Sequence, residues 1–206
     1  MANQRPGKIV CIGRNYREHA KELGNDVPAE PLFFLKPPSS IIRNGDAIVL
    51  PEQSEKVEFE GEIGVLIGST LTRASATEAE NAVAGVLAVN DVTARDLQKK
   101  DSQWTRAKGF DTFCPLGPVS TELHDLSNLT VVTRVNGVER QRASSSEMVF
   151  PIGMVLSYVS HVMTLEPGDI VATGTPAGVG PLKPGDVVEV EVVGVSKVSN
   201  RVEARA

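Results

Sequence analysis

The sequence predicts a mainly β protein with short helices, an α+β fold. Glycine (18) and proline (13) together make up 31 of the 206 residues, a composition that favours many turns over helix bundles. Short apolar runs alternate with these turns along the whole chain. Segments with helical character are few and brief, so we expect helices to be minor elements between strands.

The predicted strands are apolar runs separated by turn residues. Pro37 follows the second run, and the turn Asn44-Gly45-Asp46 precedes the third. The fourth run is the longest strand candidate, and the fifth ends in polar residues. These five strands are predicted at residues 8–12, 32–35, 47–50, 57–68 and 85–93.

Three helices are predicted from composition and capping residues. The first ends before Gly24, which suits the position just past a helix end. Ser144 and Glu147 have the spacing of a capping box, which predicts a helix start that continues into the third helix. The three helices are predicted at residues 15–23, 77–84 and 152–162.

Turn motifs predict further strands in the second half of the chain. Asn136-Gly137 lies inside the apolar segment 131–138 and is a strong hairpin signal. The segments LEPGDIVATG and LKPGDVVEVE each place a Pro-Gly turn before a strand. We interpret this similarity as a recurring turn type and not as a repeat architecture.

Length, charge and cysteine content exclude several classes of protein. A chain of 206 residues predicts a single domain, 1–206. The net charge of −5 argues against nucleic-acid binding, and no apolar run is long enough to predict a membrane span. The N-terminal segment lacks the apolar centre of a signal peptide, so we expect a cytoplasmic protein. Cys11 and Cys114 are predicted to be buried free thiols.

Three glutamates alternate along the longest predicted strand. Glu58, Glu60 and Glu62 fall on one face of a regular strand because successive side chains point to opposite faces. Two interpretations are open: a solvated outer face of an edge strand, or a site for a divalent cation. Carboxylate oxygens suit hard cations such as Mg²⁺, Mn²⁺ or Ca²⁺.

A further cation ligand would have to come from another segment. Asp91 follows an apolar strand, where side chains become accessible, whereas Asp96 is better interpreted as a capping or ion-pairing residue. Lys108 could supply positive charge where negative charge develops on a substrate, although taken alone it would be assigned as a surface lysine.

His19 and Glu22 lie three residues apart in the first predicted helix, and therefore on one face. A carboxylate beside a histidine can fix its tautomer and raise its basicity, as a general base for water requires. An ordinary surface pair is the alternative interpretation. His124 and His161 have no acidic partner at a comparable spacing and are interpreted as a loop residue and a helix-face residue.

Six segments together resemble the fumarylacetoacetate hydrolase family. The resemblance is strongest to its short single-domain members: acylpyruvases, oxaloacetate decarboxylases and the isomerase/decarboxylases of homoprotocatechuate breakdown. The segments run from residue 12 to residue 186, so the resemblance covers nearly the whole chain. They are IGRNYREHAKELG, PLFFLKPPSSI, FEGEIGVLIG, NDVTARDLQ, QWTRAKGFDTFCPLGP and GDIVATGTPAGVGPLKPGD.

The resemblance implies a mixed β-sandwich roll, a homodimer and a role for each matching residue. The implied metal ligands, for Mg²⁺ or Mn²⁺, are Glu60, Glu62 and Asp91. The implied catalytic residues are the active-site lysine Lys108 and the water-activating pair His19 and Glu22. The implied substrate-binding residues are Arg14, Tyr16, Gln98 and Thr175. Glu58 stands where members of the family vary and is not predicted as a ligand.

The predicted function is metal-dependent chemistry on a small 2-oxo acid. The expected reactions are hydrolysis of an acylpyruvate and decarboxylation of oxaloacetate, both through a metal-bound pyruvate enolate. Alternatives within the family are a 2-hydroxyhepta-2,4-diene-1,7-dioate isomerase, a 5-oxopent-3-ene-1,2,5-tricarboxylate decarboxylase and a ureidoglycolate lyase. An alternative of another class is a catalytically silent metal- or metabolite-binding protein.

Overall fold

Short strands dominate the protein, and the predicted fold class is confirmed. The computed structural model describes residues 5–122 and 124–205. The strands are β1 (Ile9–Gly13), β2 (Leu32–Lys36), β3 (Ile41–Ile42), β4 (Ala47–Leu50), β5 (Val57–Phe59), β6 (Gly61–Ile67), β7 (Val83–Asn90), β8 (Thr93–Ala94), β9 (Cys114–Pro115), β10 (Thr130–Val135), β11 (Val138–Ser144), β12 (Ile170–Ala172), β13 (Gly180–Pro181), β14 (Val187–Val192) and β15 (Ser196–Ala204). The helices are α1 (Arg17–Glu22), α2 (Ala76–Asn81), α3 (Arg95–Lys100), α4 (Thr105–Lys108) and α5 (Ile152–Val162).

Two five-stranded mixed sheets form the sandwich. One has the strand order β2-β1-β12-β6-β7, and the other has the order β11-β10-β14-β15-β4. Each contains one parallel pair, β1 with β12 and β15 with β4. Val65 of the first sheet and Val131 and Val190 of the second belong to one buried apolar cluster, so the sheets pack face to face. Two small sheets, β13-β5-β8 and β3-β9, complete the roll.

The longest predicted strand is interrupted at Glu60. β5 pairs with β8 and β13 in a small sheet, whereas β6 enters the first large sheet between β12 and β7. Glu58, Glu60 and Glu62 are all buried. The solvated outer face, one of the two interpretations of the alternating glutamates, is therefore wrong. The interruption brings the carboxylates to a junction between two sheets.

The predicted helices form in part. α1 begins only at Arg17, because the buried Asn15 side chain binds elsewhere: its amide donates to Phe150 O (3.1 Å) and Thr173 O (2.8 Å). The continuous helix from Ser144 is wrong, since a 3₁₀ turn ends at Glu147 and extended backbone precedes α5. Pro151 sets that boundary, because proline disfavours helical backbone in the residue before it.

The turn predictions are confirmed. Asn136 and Gly137 have φ values of 53° and 77°, as a two-residue turn between β10 and β11 requires. Gly168 and Gly185 also have positive φ, and each precedes a strand at its Pro-Gly turn. Both cysteines are buried and free. In the described part of the chain, no helix has the length and apolar character needed to cross a bilayer.

Candidate active site

The interruption between β5 and β6 positions Glu60 beside the end of β7. The backbone N–H of Glu60 donates to the side chain of Asn90 (3.0 Å), and the N–H of Asp91 donates to Glu60 O (2.8 Å). These two hydrogen bonds join Glu60, at the interruption between β5 and β6, to the end of β7 and the residue after it, Asp91. Residues 30 positions apart in sequence are thereby fixed together.

Glu60, Glu62 and Asp91 form a buried acidic triad. Each offers one carboxylate oxygen such that the three oxygens lie within 4.8 Å of one another. The residues are only 4 %, 1 % and 1 % exposed. Three carboxylates so close in a buried site repel one another strongly unless positive charge lies between or beside them.

Buried, positively charged side chains neutralise two of the three carboxylates. Lys108 donates to Glu60 Oε2 (2.7 Å) and to Asp91 Oδ2 (2.5 Å), and Arg95 also pairs with Glu60. Although burial alone would raise the pKa of Glu60, Lys108 and Arg95 hold it well below its ordinary value. Lys36 donates to the other oxygen of Asp91 (2.6 Å).

Glu62 is the uncompensated member of the triad. Among the described residues it has no ion pair, and one of its oxygens accepts a hydrogen bond from the backbone N–H of Gly174 (2.8 Å). Burial, with the nearby charges of Asp91 and Glu60, raises the pKa of the Glu62 carboxyl well above its ordinary value. The site therefore has a deficit of positive charge at Glu62.

A divalent cation fits this donor set. Hard oxygen ligands, an unpaired carboxylate and close oxygens are what Mg²⁺ and Mn²⁺ require. Glu60, Glu62 and Asp91 would hold such a cation, and its charge would relieve the repulsion that raises the pKa of Glu62.

His19 and Glu22 are brought together on α1, as their spacing predicts. His19 Nδ1 lies 3.4 Å from Glu22 Oε2, and His19 is 4 % exposed. Burial lowers the pKa of His19, although the Glu60 and Glu22 charges oppose this shift. The carboxylate of Glu22 also accepts hydrogen bonds from the N–H of Gly178 (3.1 and 3.2 Å). The pair thus joins α1 to the loop after β12.

A cavity of about 300 Å³ reaches the triad at Glu60, whereas Glu62, Asp91 and Glu22 are not on its wall. Phe34 and Trp104, whose ring centroids are 5.4 Å apart, form an apolar part of its wall. The wall also contains most of the predicted site residues: Arg14, His19, Glu60, Gln98, Lys108 and Thr175.

Tyr16 does not lie on the cavity wall. It is 3 % exposed and belongs to the main apolar cluster, and its hydroxyl has no hydrogen-bond partner within the described ranges. The place of Tyr16 in a substrate pocket, which the family resemblance implies, stays a prediction. The backbone turns between β1 and α1, where Arg14 has a φ of 58°, so that Arg14 lines the cavity and Tyr16 packs in the apolar cluster.

A buried glutamine supports the site from the second sheet. Gln141 accepts from the N–H of Gly61 (3.0 Å) and donates to Thr175 Oγ1 (2.7 Å) and Pro176 O (2.8 Å). Thr175 Oγ1 itself donates to Gly61 O (2.9 Å), so this hydroxyl can offer the cavity only a lone pair. No local pattern around Gln141 indicates this role.

Other site residues also went unrecognised in the sequence. Arg95, in the segment NDVTARDLQ, bridges Glu58 and Glu60. A signal for such a residue is present in the sequence: three glutamates on one predicted strand need a basic partner if the strand is buried. Asp96, interpreted from the sequence as a capping or ion-pairing residue, instead accepts hydrogen bonds from Ser54 Oγ (2.5 Å) and Glu55 N (3.0 Å), which anchor the loop before β5.

We expect Gly61→Ala to destabilise the protein. An added Cβ would lie 1.9 Å from Thr133 Oγ1, so either Thr133 or the start of β6, the strand that carries Glu62, must shift. Overpacking of this kind lowers the free energy of unfolding by about 1–3 kcal/mol, which urea unfolding measures. Gly180→Ala is the matched control, because its Cβ would make only ordinary contacts with Phe59. If the clash is the cause, the added substitution Thr133→Ala should recover much of the loss.

Buried ionisable groups that converge on a cavity within a β-sandwich are typical of a catalytic site, and they place the protein among enzymes. The profile described as fumarylacetoacetate (FAA) hydrolase C-terminal matches residues 8–203. The chain belongs to the fumarylacetoacetate hydrolase family.

Three similar proteins illustrate the activities found among its relatives. A mitochondrial oxaloacetate decarboxylase of Dictyostelium discoideum is 41 % identical over 195 residues, covering 91 % of this chain and 89 % of the relative. A mitochondrial oxaloacetate tautomerase of Arabidopsis thaliana is 41 % identical over 204 residues, covering 96 % and 92 %. The structure of fumarylpyruvate hydrolase from Pseudomonas aeruginosa, in complex with Mn²⁺ and pyruvate, is similar with a TM-score of 0.91 and 29 % identity. The match covers 97 % of this chain and 91 % of the hydrolase chain.

Proposed function

We propose that the protein is a divalent-metal-dependent enzyme that cleaves a C–C bond in small 2-oxo acids through an enolate of pyruvate. The observation that carries this proposal is the acidic triad, with one uncompensated carboxylate, beside a cavity that bears a lysine and a histidine. The substrates are an acylpyruvate, by hydrolysis, and oxaloacetate, by decarboxylation. The relatives named above for oxaloacetate and fumarylpyruvate support this substrate class.

Glu60, Glu62 and Asp91 would hold the cation, Mg²⁺ or Mn²⁺, which when bound would supply Lewis-acid polarisation of the 2-oxo group. Lys108 adds a fixed positive charge on the cavity wall and stabilises the negative charge that develops on the enolate oxygen. Phe34 contributes by holding Lys108, whose Nζ lies 4.8 Å from the ring centroid. Lys108 is only 1 % exposed, and charges interact strongly in so buried a position.

His19 accepts a proton from water in the hydrolytic reaction. Its lowered pKa keeps the imidazole neutral at neutral pH, and Glu22 stabilises the positive charge that the ring acquires. Decarboxylation gives the same enolate without attack by water, so this reaction does not need the pair. Arg14 and Gln98 orient the far end of the substrate from the cavity wall, and Thr175 accepts a hydrogen bond from it.

Turnover by the purified protein tests the proposal. We expect the EDTA-treated protein to consume acetylpyruvate or oxaloacetate only after Mg²⁺ or Mn²⁺ is added, above the background of the free metal. Release of acetate and pyruvate identifies the hydrolase, and loss of oxaloacetate alone identifies the decarboxylase. Turnover of neither substrate contradicts the proposal and favours the isomerases or a silent binding protein.

Tautomerisation of oxaloacetate is a second candidate, favoured by the Arabidopsis thaliana relative. Interconversion of the keto and enol forms passes through the enolate of oxaloacetate itself, formed by loss of a C3 proton, and needs only proton transfer, with no C–C bond broken. Loss of the enol absorbance without release of CO₂ distinguishes this activity from decarboxylation.

We also propose a homodimer of single catalytic domains (1–206) in the cytoplasm, without nucleic-acid or membrane partners. Leu35, Met154 and Val162 are 42 %, 48 % and 59 % exposed, on β2 and α5. Phe33 of β2 packs edge to face against Tyr158 of α5, so the two elements are neighbours. Light scattering coupled to chromatography measures the mass, and a mass of about 22 kDa would contradict the dimer.

A further inference from the structure

A second lysine contacts the acidic triad from outside the cavity. Lys36 is the last residue of β2, and its side chain is completely buried. Its Nζ donates to Asp91 Oδ1 (2.6 Å) and to Val92 O (3.1 Å). Lys36 is not part of the cavity wall, so it cannot serve the substrate as Lys108 does.

The two lysines divide the oxygens of Asp91 between them. Lys108 donates to Oδ2 and also to Glu60, whereas Lys36 donates to Oδ1. Lys108 therefore bridges the two carboxylates from the cavity side, where a cation held by the triad would compete with it. Lys36 donates only to Asp91 Oδ1 and to the backbone carbonyl of Val92. Lys36 could therefore keep both hydrogen bonds when the triad binds a cation.

The position of Lys36 has two consequences for a cation. Oδ1 of Asp91 stays hydrogen-bonded to the Lys36 ammonium, so a cation would have to use Oδ2, for which it competes with Lys108. The ammonium is also separated from any cation in the triad by only one carboxylate, and like charges at such short range in a buried site repel strongly. Both effects oppose tight binding.

We propose that Lys36 is a positioning residue that restricts Asp91 to one oxygen for the cation and lowers the affinity of the triad for it. This inference rests on the proposed metal-dependent function. The substrate must bind beside the cation and the product must leave, so an affinity limited by Lys36 keeps the site exchangeable. A lysine that only filled space in the core would have no such effect on a cation.

Mn²⁺ titrations followed by electron paramagnetic resonance measure the affinity directly, without any turnover. Lys36→Met removes the charge and the donor, Lys36→Gln removes the charge but keeps a donor, and Lys36→Arg keeps both. We expect Lys36→Met and Lys36→Gln to bind Mn²⁺ about tenfold more tightly, or better, than the unsubstituted protein. Lys36→Arg should stay within about threefold of it.

Lys56→Met is the matched control. Lys56 also pairs with one of the three alternating glutamates, at Glu58 Oε1 (3.0 Å), but the Lys56 side chain is 51 % exposed. Solvent screens its charge, so Mn²⁺ affinity should not change. A general effect of removing one positive charge from the protein would instead tighten binding in this variant as well, and would overturn the assignment to Lys36.

The remaining outcomes separate this inference from the proposed function. If the unsubstituted protein binds Mn²⁺ but Lys36→Gln binds it equally or more weakly, the role of Lys36 is wrong and the metal site stands. If neither charge-removing variant folds, as judged by circular dichroism, Lys36 acts in folding and the inference is also wrong. If the unsubstituted protein binds no Mn²⁺, the proposed function fails first.

Discussion

The Glu62→Gln protein should lose Mn²⁺ binding and all turnover, yet unfold at a higher temperature than the unsubstituted protein. Glu62 is buried without a cationic partner in the described ranges, and the charges of Asp91 and Glu60 oppose its ionisation. A neutral amide of the same shape keeps an oxygen for the Gly174 N–H and removes the repulsion. We expect a gain of about 1–2 kcal/mol in the metal-free protein, because uncompensated buried charge is costly.

Glu58→Gln provides the control for this prediction, because it removes a carboxylate from the same segment. Glu58 pairs with Arg95 (2.6 Å) and Lys56 (3.0 Å) and is not a member of the triad. The variant should therefore unfold at a lower temperature and still bind Mn²⁺. Calorimetry with and without Mn²⁺ measures both effects, since a bound ion raises the apparent stability of the folded state. Unchanged Mn²⁺ affinity in Glu62→Gln would contradict the triad as the metal site.

The His19→Ala protein should lose hydrolysis of acetylpyruvate far more than decarboxylation of oxaloacetate. Removal of a general base typically costs about 10²–10⁴ in rate, and only the hydrolytic reaction needs activated water. Decarboxylation still uses the triad and Lys108, so its rate should fall by less than about tenfold. Steady-state rates for both substrates, measured on one preparation, test the difference. Equal losses in the two reactions would contradict the division of labour.

The pH dependence of hydrolysis provides a second measurement on His19. Burial is the largest influence on this residue and lowers its pKa below the ordinary value of 6.5. The neutral imidazole is the form that accepts a proton, so hydrolysis should persist through pH 6.5 and decline only at lower pH. A decline that begins above pH 7 would contradict the neutral, buried state of His19.

The local elements follow from short-range signals, and the sequence predicts most of them. The Asn136-Gly137 turn, the Pro-Gly turns and the strands around them depend on backbone preferences that act over a few residues. Boundaries that depend on distant partners were mispredicted. Asn15 lies outside α1 because its side chain bonds to Phe150 and Thr173, more than 130 positions away.

The acidic triad was predicted because its members carry their own signal. Alternating glutamates and an aspartate after an apolar strand are visible in the sequence, and family motifs identify the same residues. What surrounds the triad was not predicted. Only the folded chain brings Lys36 of β2 to Asp91, Arg95 of α3 to Glu60 and Gln141 of β11 to Gly61. Tyr16, which the family resemblance assigns to the substrate pocket, lies in the main apolar cluster and not on the cavity wall.

By itself, the sequence determined the β-rich fold class, the turns, the candidate ligands and the family. Only the tertiary structure decided that the three glutamates are buried, that Glu62 lacks a cation and that two lysines share Asp91. The physical reason is that backbone propensity and hydrophobic pattern act over a few residues, whereas the electrostatic energy of a buried carboxylate depends on every charge near it in space. Those charges come from segments that only folding brings together.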